Sequence, residues 1–158
     1  MLIKAEFEIE MDATIPSGVR NIGEGEFCDP IALQDLTIPI GVTSIGDGAF
    51  AHCDWLAKVT IPDGITAIGD RAFFDCYSLV EVSIADSVTS IGVEAFAECN
   101  QLAHVSMSSC VKSIGDKAFA WCESLESIEI PLDVAHIGDG VFYGCSKEFL
   151  VQAPNKVP

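Results

Sequence analysis

A repeat of 23 residues dominates the sequence. It returns without insertions and has the form T-I-P-x-x-V-x-x-I-G-D-x-A-F-x-x-C-x-x-L-x-x-V. We number positions within each unit from its first residue. These first residues are Thr14, Thr37, Thr60, Ser83, Ser106 and Glu129. Because similar apolar residues return at most of the apolar positions, we predict stacked coils that bury these residues against the coils above and below.

Two segments of the unit predict local structure. Residues 56–61 alternate apolar and polar residues, which indicates a strand with Lys58 and Thr60 pointing outward. Copies of this strand would stack into a parallel sheet. Residues 47–53 have apolar residues at helical spacing, and Asp47 is a favourable N-cap. We therefore expect a short helix or helical turn on the outer side of each coil, and a chain-turning role for the glycine before the acid.

The motif I-G-x-x-A-F-x-x-C-x-x-L, together with the strand L-x-x-V-x-I, resembles the BspA-like, or treponemal, leucine-rich repeat subclass. All six units show this resemblance. It implies an α/β repeat solenoid that is right-handed, with a concave parallel β-sheet and short helices or helical turns on the convex side. Members of the family are mostly surface proteins of bacteria and of some parasitic protists, and several are linked to adhesion. The resemblance therefore implies a secreted or cell-surface location.

We expect a single leucine-rich repeat domain. The alternating apolar and acidic residues at the N-terminus are not a secretory signal, so the protein is either intracellular or has a signal outside this sequence. The last unit ends without a recognisable cap, which suggests a domain of a longer protein or a very short repeat protein. The predicted boundaries are 1–158 for the domain, 1–13 for an N-terminal capping strand, 14–151 for six repeats and 152–158 for the end of the last rung.

The net charge of −16 limits the classes of partner. Such a charge opposes direct binding to nucleic acid and to anionic membranes. Hydrophobic residues make up 49% of the chain, but no run approaches the ~20 apolar residues that span a bilayer. We therefore expect no membrane insertion. Regular rows of carboxylates could instead imitate the phosphates of a nucleic acid.

The chain has seven cysteines, of which five occupy position 17 of successive units. A zinc site would need closely spaced pairs such as C-x-x-C, so we interpret this column as buried small side chains. Disulfides between neighbouring rungs are the less favoured alternative. Cys110 stands where other units have glycine, serine or aspartate, and we favour a harmless substitution over a redox-sensitive or dimer-forming thiol. The column comprises Cys53, Cys76, Cys99, Cys122 and Cys145.

Candidate catalytic residues do not form a pattern. His52, His104 and His136 occupy three different positions of the unit, which gives neither a nucleophile–base pair nor a metal pair. Acidic residues recur at position 11, where we interpret them as helix caps and not as calcium ligands. We therefore expect no enzyme activity, no metal and no cofactor. The acidic column comprises Glu24, Asp47, Asp70, Asp116 and Asp139.

Outward positions that vary between units are the candidates for binding, because packing does not dictate them. One set lies on the predicted concave face, and a second set of aromatic residues lies at the turn into the strand. Clustered surface aromatics are frequent binding hot spots, but these side chains could equally be additional core. Trp121 stands alone two rungs further on. The concave set is Lys58, Thr60, Glu81, Ser83, His104 and Ser106, and the aromatic rim is His52, Trp55, Phe74 and Tyr77.

These observations favour a noncatalytic protein-binding module with a protein partner, of the kind used in cell-surface adhesion or host interaction. Two alternatives stay open. The first is an acidic intracellular inhibitor that mimics nucleic acid, and the second is a structural spacer within a larger protein. The open ends of a solenoid would also allow self-association.

Overall fold

The computed structural model describes residues 14–28, 33–146 and 150–152. The predicted capping strand over 1–13 lies outside the described residues, as does most of the last segment, 152–158. In the described part, each coil contributes a longer strand, which begins at position 22 of one unit and ends at position 1 or 2 of the next, and a two-residue strand at positions 8 and 9. The longer strands are β2 (Asp35–Thr37), β4 (Lys58–Ile61), β6 (Glu81–Ile84), β8 (His104–Ser106), β10 (Ser127–Glu129) and β12 (Leu150–Gln152). The two-residue strands are β1 (Asn21–Ile22), β3 (Ser44–Ile45), β5 (Ala67–Ile68), β7 (Ser90–Ile91), β9 (Ser113–Ile114) and β11 (His136–Ile137).

All strand pairs among the described residues are parallel, and each residue pairs with its equivalent in the next repeat. Val59 pairs with Val82, and Ile45 pairs with Ile68, so that like residues stack on like residues. The two-residue strands form one sheet in the order β1-β3-β5-β7-β9-β11. The longer strands form a sheet in the order β2-β4-β6-β8 and a separate pair, β10-β12. The prediction of stacked coils with a parallel sheet is therefore confirmed.

The core consists of columns that run along the solenoid. Phenylalanines at position 14 stack between Phe27 and Phe142, with successive ring centroids 5.1–6.1 Å apart and interplanar angles of at most 17°. Isoleucines and leucines surround this stack, and Leu56, Leu79 and Leu102 are completely buried. Offset aromatic pairs contribute about 0.5–1.5 kcal/mol each beyond their buried area. Each coil therefore depends on its neighbours for much of its packing.

The predicted short helices on the outer side are wrong, because residues 47–52 and their equivalents form turns in the described coils. The residues at positions 12 and 16 have positive φ, even where they are not glycine, for example Arg71 (55°) and Asp75 (53°). In these turns, backbone amides at odd positions donate hydrogen bonds within their own coil, as Ala51 N does to Gly48 O at 3.0 Å. Backbone amides at even positions donate to carbonyls of the next coil, as Phe50 N does to Ala72 O at 2.7 Å. Alternate amides therefore leave the coil, and a helix cannot form.

The glycine at position 10 and the acid at position 11 also have roles that differ from those predicted. A Cβ added at Gly92 would lie 2.6 Å from Asp70 N, so this glycine is needed because two coils approach closely. The acid does not cap a helix of its own coil. Asp70 Oδ1 accepts a hydrogen bond from Val93 N of the next coil at 2.7 Å, and Asp47 Oδ1 accepts one from Asp70 N at 2.8 Å. The acids therefore join coils.

The longer sheet is interrupted where the repeat is least regular. In the described residues, no strand pairing joins β8 to β10. Val105 and Met107 are only half-buried there, although their equivalents in the neighbouring coils are buried. Ser108 replaces the usual proline and is buried, with its Oγ donating to Val88 O at 3.2 Å. The same Oγ accepts a hydrogen bond from Cys110 N at 3.0 Å. The buried hydroxyl of Ser108 thus donates one hydrogen bond and accepts another within this irregular corner.

The described residues contain no helix with the length and apolar character needed to cross a bilayer.

Candidate functional site

The strand face is the outward side of β2, β4, β6 and β8. Parallel pairing in register places the predicted concave residues in two adjacent rows. The first row is Asp35, Lys58, Glu81 and His104, and the second is Thr37, Thr60, Ser83 and Ser106. The structure therefore brings together all six residues predicted for this face.

The row of charged residues on the strand face alternates in sign. Lys58 Nζ lies 2.7 Å from Glu81 Oε2. The hydrogen bond to Glu81, with the attraction of its charge, raises the pKa of Lys58. The hydrogen bond from Lys58 and its charge lower the pKa of Glu81, and His104 adds to this effect. Both groups are therefore ionised at neutral pH, and the face presents a fixed pattern of charge.

The predicted aromatic rim is only partly assembled. The rings of His52 and Phe74 meet edge to face with centroids 5.6 Å apart, and His52 Nδ1 lies 3.1 Å from Asp75 Oδ2. Trp55 and Tyr77 are 57% and 51% exposed, so neither is additional core. Among the described residues, neither of these two rings contacts another ring. The rim therefore consists of one aromatic pair and two separate exposed rings.

A second aromatic pair lies on the same side of the coils, and the prediction that Trp121 stands alone is wrong. Its ring meets that of Tyr143 edge to face, with centroids 5.2 Å apart and an interplanar angle of 85°. A Cβ added at Gly144 would overlap the indole ring, so this glycine makes room for it. The signal was present in the alignment of the repeats. Trp121 and Gly144 both occupy position 16 of successive units, and Tyr143 directly precedes the glycine.

The turn-side groove runs along the turns between the two aromatic pairs. Its volume is about 480 Å³. Phe74 lies at one end and Trp121 with Tyr143 at the other, while the buried side chains of Ala97 and Ala120 form its floor. Acidic side chains and one lysine complete the lining, and they are Glu94, Glu98, Asp139 and Lys117. The groove combines an apolar floor with aromatic ends and a mainly acidic edge.

Four of the five column cysteines are buried, as predicted, and Cys145 is half-buried. Each thiol donates a hydrogen bond to the carbonyl of the phenylalanine in the preceding coil, for example Cys99 Sγ to Phe73 O at 3.1 Å. Burial raises the pKa of Cys99 and Cys122 well above the ordinary value, and it raises the pKa of Cys145 to about 11. The thiols of Cys99, Cys122 and Cys145 therefore stay protonated at neutral pH, which makes them poor nucleophiles. Cys110 is half-buried, with its Sγ 3.9 Å from Ser109 Oγ.

Metal-binding geometry is absent from the described ranges, in which no three side chains of His, Cys, Asp or Glu converge on one point. The three histidines lie apart. His52 is on the turn side, His104 is on the strand face, and His136 is in β11.

Known proteins share this architecture. A leucine-rich repeat protein of Bacteroides ovatus is 32% identical, and the alignment covers 84% of this chain and 40% of that protein with a TM-score of 0.58. A leucine rich cell surface protein of Faecalibacterium prausnitzii is 27% identical over 86% of this chain and 51% of its own length, with a TM-score of 0.57. The pneumococcal vaccine antigen PcpA is 24% identical over 95% of this chain and 42% of its own length, with a TM-score of 0.71, and shares the fold. The chain thus spans about half or less of each of these proteins. None of the curated protein sequences matches it.

The repeat itself has a family description. The BspA type leucine rich repeat region matches residues 20–149 in six copies. This range includes both aromatic pairs and all the strands from β1 to β11. Because the match extends over most of the sequence, the chain belongs to the BspA-type leucine-rich repeat family.

Proposed function

We propose that this chain is a noncatalytic protein-binding module that recognises its partner through the strand face. The observation that carries the proposal is the pair of outward rows on β2, β4, β6 and β8, held in register by the ladder of the sheet. None of these side chains is needed for the core, and yet their order in space is fixed. A rigid surface loses little conformational entropy on binding, which favours affinity.

The charge pattern supports recognition of a protein with a complementary surface. Asp35, Lys58 and Glu81 alternate in sign along the row, and the neighbouring hydroxyl row offers donors and acceptors. Alternating charges attract a partner that carries the opposite order, and they repel one that carries the same order. Hydroxyl groups of threonine and serine add hydrogen bonds without changing the charge. Such a face gives specificity more than bulk affinity.

Cell-surface adhesion or host interaction is the biological setting that we propose. Repeat proteins of this family are in general binding modules, and one structural neighbour is described as a cell surface protein. The sequence itself adds its strongly acidic charge of −16, which keeps an apolar solenoid in solution.

A charge-swap variant tests the strand face. Lys58→Glu combined with Glu81→Lys keeps the ion pair and the net charge but reverses the pattern that a partner would meet. Lys112 Nζ and Asp133 Oδ2 lie 3.7 Å apart away from the strand face, so Lys112→Glu combined with Asp133→Lys is a matched control. The assay is biolayer interferometry of the purified chain against a panel of immobilised extracellular matrix proteins and whole bacterial cells.

We expect saturable binding to at least one member of the panel. The strand-face swap should weaken that binding at least tenfold, whereas the control swap should change it less than twofold. Equal affinity of the strand-face swap and the unmodified chain would refute recognition through this face. Loss of binding only with Trp55→Ala and Tyr77→Ala would move the site to the aromatic rim.

The acidic column gives no support to mimicry of nucleic acid as a second function. Asp47, Asp70 and Asp116 each accept a backbone hydrogen bond from the next coil, so these carboxylates have a structural role. Val93 also interrupts the row. Retention of a basic nucleic-acid-binding protein that moderate salt abolishes would revive this alternative.

A further inference from the structure

We propose that the turn-side groove is a second binding surface, which takes an arginine-bearing peptide segment of another protein. The groove is lined by residues at positions 11–16 of the unit, and it shares no residue with the strand face. The inference is therefore independent of the proposed function, and either can fail alone.

The protein itself shows how an arginine fits this surface. The guanidinium of Arg71 lies 5.6 Å from the centroid of the Phe74 ring, and its Nε donates to Glu94 Oε2 at 2.6 Å. One cation thus contacts an aromatic face and a carboxylate at the same time. Cations over aromatic rings are attracted by the ring quadrupole, and arginine does this more often than lysine. The arrangement lies at the end of the groove that Phe74 closes.

At the opposite end, Tyr143 provides the ring and Asp139 with Glu98 the carboxylates, and Lys117 is the one cation of the lining. Tyr143 occupies the same position of its unit as Phe74, and Gly140 occupies the position of Arg71. A Cβ added at Gly140 would make ordinary van der Waals contact with Lys117 Cγ at 3.6 Å and with Tyr143 Cβ at 3.7 Å, and the glycine itself places no side chain there. In the part of the chain that the structure describes, neither Asp139 nor Glu98 forms an ion pair. Asp139 and Glu98 do not occupy the position of Glu94 in the unit, but an arginine from a partner would meet a ring and carboxylates of the same chemical kinds as those that contact Arg71.

The aromatic end is rigid. Trp121 adopts a φ of 60°, which is unusual for a bulky residue. Its amide donates to Tyr143 O at 2.7 Å, its ring packs edge to face on Tyr143, and the missing side chain of Gly144 leaves room for the indole. The ring is nevertheless 43% exposed, and that of Tyr143 is 62% exposed. Rigid, partly exposed aromatic rings are typical anchors of protein interfaces.

The shape of the groove favours an extended peptide. Phe74 and Tyr143 are three coils apart, and coils rise by about 4.8 Å each, so the groove is ~14 Å long. Such a length accommodates about four extended residues. Ala97 and Ala120 are almost completely buried between the two ends, which lets a peptide backbone approach closely. The lining is acidic apart from Lys117, and the whole chain carries −16, so the charge of the groove complements a basic segment.

Short synthetic peptides provide the probe. The test peptide is an acetylated hexapeptide of two arginines and four alanines. The control peptide replaces both arginines by citrulline, which keeps the shape but removes the charge. Binding is measured through the fluorescence of Trp121 in the variant Trp55→Phe, because the chain has two tryptophans. The same titration is repeated in 0.5 M NaCl to separate contact in the groove from long-range attraction.

We expect saturable binding of the arginine peptide and at least fivefold weaker binding of the citrulline peptide. Tyr143→Ala and the double variant Glu98→Gln with Asp139→Asn should each weaken the arginine peptide at least threefold. Trp121→Gly fits the positive φ at this position, and calorimetry should show the same loss of binding with this variant. Lys117→Gln should tighten binding, because it removes the one cation of the lining. The strand-face swap should have no effect.

Equal binding of the citrulline peptide would overturn the proposal. So would unchanged affinity after Tyr143→Ala, or an interaction that 0.5 M NaCl abolishes completely, because either result would indicate attraction to the acidic chain as a whole. Absence of saturation at millimolar peptide would also overturn it.

Discussion

Gly92→Ala should destabilise the fold strongly, although Gly92 does not have a positive φ. Replacement of a glycine of ordinary φ by alanine normally stabilises a protein by about 0.4–1 kcal/mol, because the unfolded chain loses conformational freedom. Here the added Cβ would lie 2.6 Å from Gly69 C, Asp70 N and Asp70 Oδ1 of the preceding coil. These atoms belong to or adjoin backbone that the sheet holds in place, so they cannot move aside individually.

The size of the effect follows from the separation that the methyl group would require. An ordinary contact of 3.4 Å needs the coils to move apart locally by about 0.8 Å. Two hydrogen bonds cross this point, from Gly92 N to Ile68 O at 2.9 Å and from Val93 N to Asp70 Oδ1 at 2.7 Å, and both would be lost or weakened. Two such bonds contribute about 1–3 kcal/mol together. Overpacking adds about 1–3 kcal/mol. We expect a total loss of about 2–6 kcal/mol.

Gly48→Ala is the matched control, since the reason for this glycine is different. Gly48 has a φ of 59°, but a Cβ there would meet nothing within 4 Å. Alanine in the left-handed region costs about 1–2 kcal/mol, and the stiffer unfolded chain offsets about half of that. Urea unfolding of both variants, followed by circular dichroism, compares the two free energies of unfolding. A loss below 1 kcal/mol for Gly92→Ala, or a larger loss for Gly48→Ala, would refute the reasoning.

Three further predictions concern the carboxylates and the thiols. Asp70→Ala should lower the free energy of unfolding in urea by about 1 kcal/mol, whereas Asp70→Asn should cost less, because it keeps an oxygen that accepts the next coil's amide hydrogen bond. Lys58→Met should raise the pKa of Glu81 in an NMR titration, since the ammonium that lowers it is gone. The stability contributed by the pair to the unmodified chain should be lost as the pH falls through that lowered pKa. Iodoacetamide at neutral pH should modify Cys110 in the folded chain and Cys99 only after unfolding, as peptide mass spectrometry would show, because Cys99 is buried with a raised pKa.

The inward half of the fold was predictable from the sequence. The residues at positions 2, 9, 14, 17 and 20 recur because each of them must fit against its own copy one coil away. Ile45, Phe50, Cys53 and Leu56 are accordingly buried at 3% exposure or less. A fixed period without insertions then sets the register of every strand pair. Neither step needs information about a distant part of the chain, and this is why both succeeded.

The outer turns were predicted as short helices or helical turns for a physical reason that can be traced. Apolar residues at Ala49, Phe50 and Cys53 match helical spacing, but periodicity reports only which side chains face inward. It does not report the sign of φ. Gly25, Gly48 and Gly140 were the available signal, since all three occupy position 12 of their units and have φ between 59° and 63°. The same conformation at Glu94 and Lys117 carries no glycine to reveal it.

Neighbouring side chains on the surface were predictable where the sheet sets their positions. They were unpredictable where the turns set them. Outward residues of a strand in register stay neighbours, so the two rows of the strand face followed from the repeat alone. Trp121 and Tyr143 meet only because the turn of one coil bonds directly to the next and Gly144 leaves space for the indole. The repeat holds both sides of the coil by backbone hydrogen bonds between coils. Outward side chains that make no contact between coils are therefore free to vary without loss of the fold, so the two proposed binding surfaces can change independently.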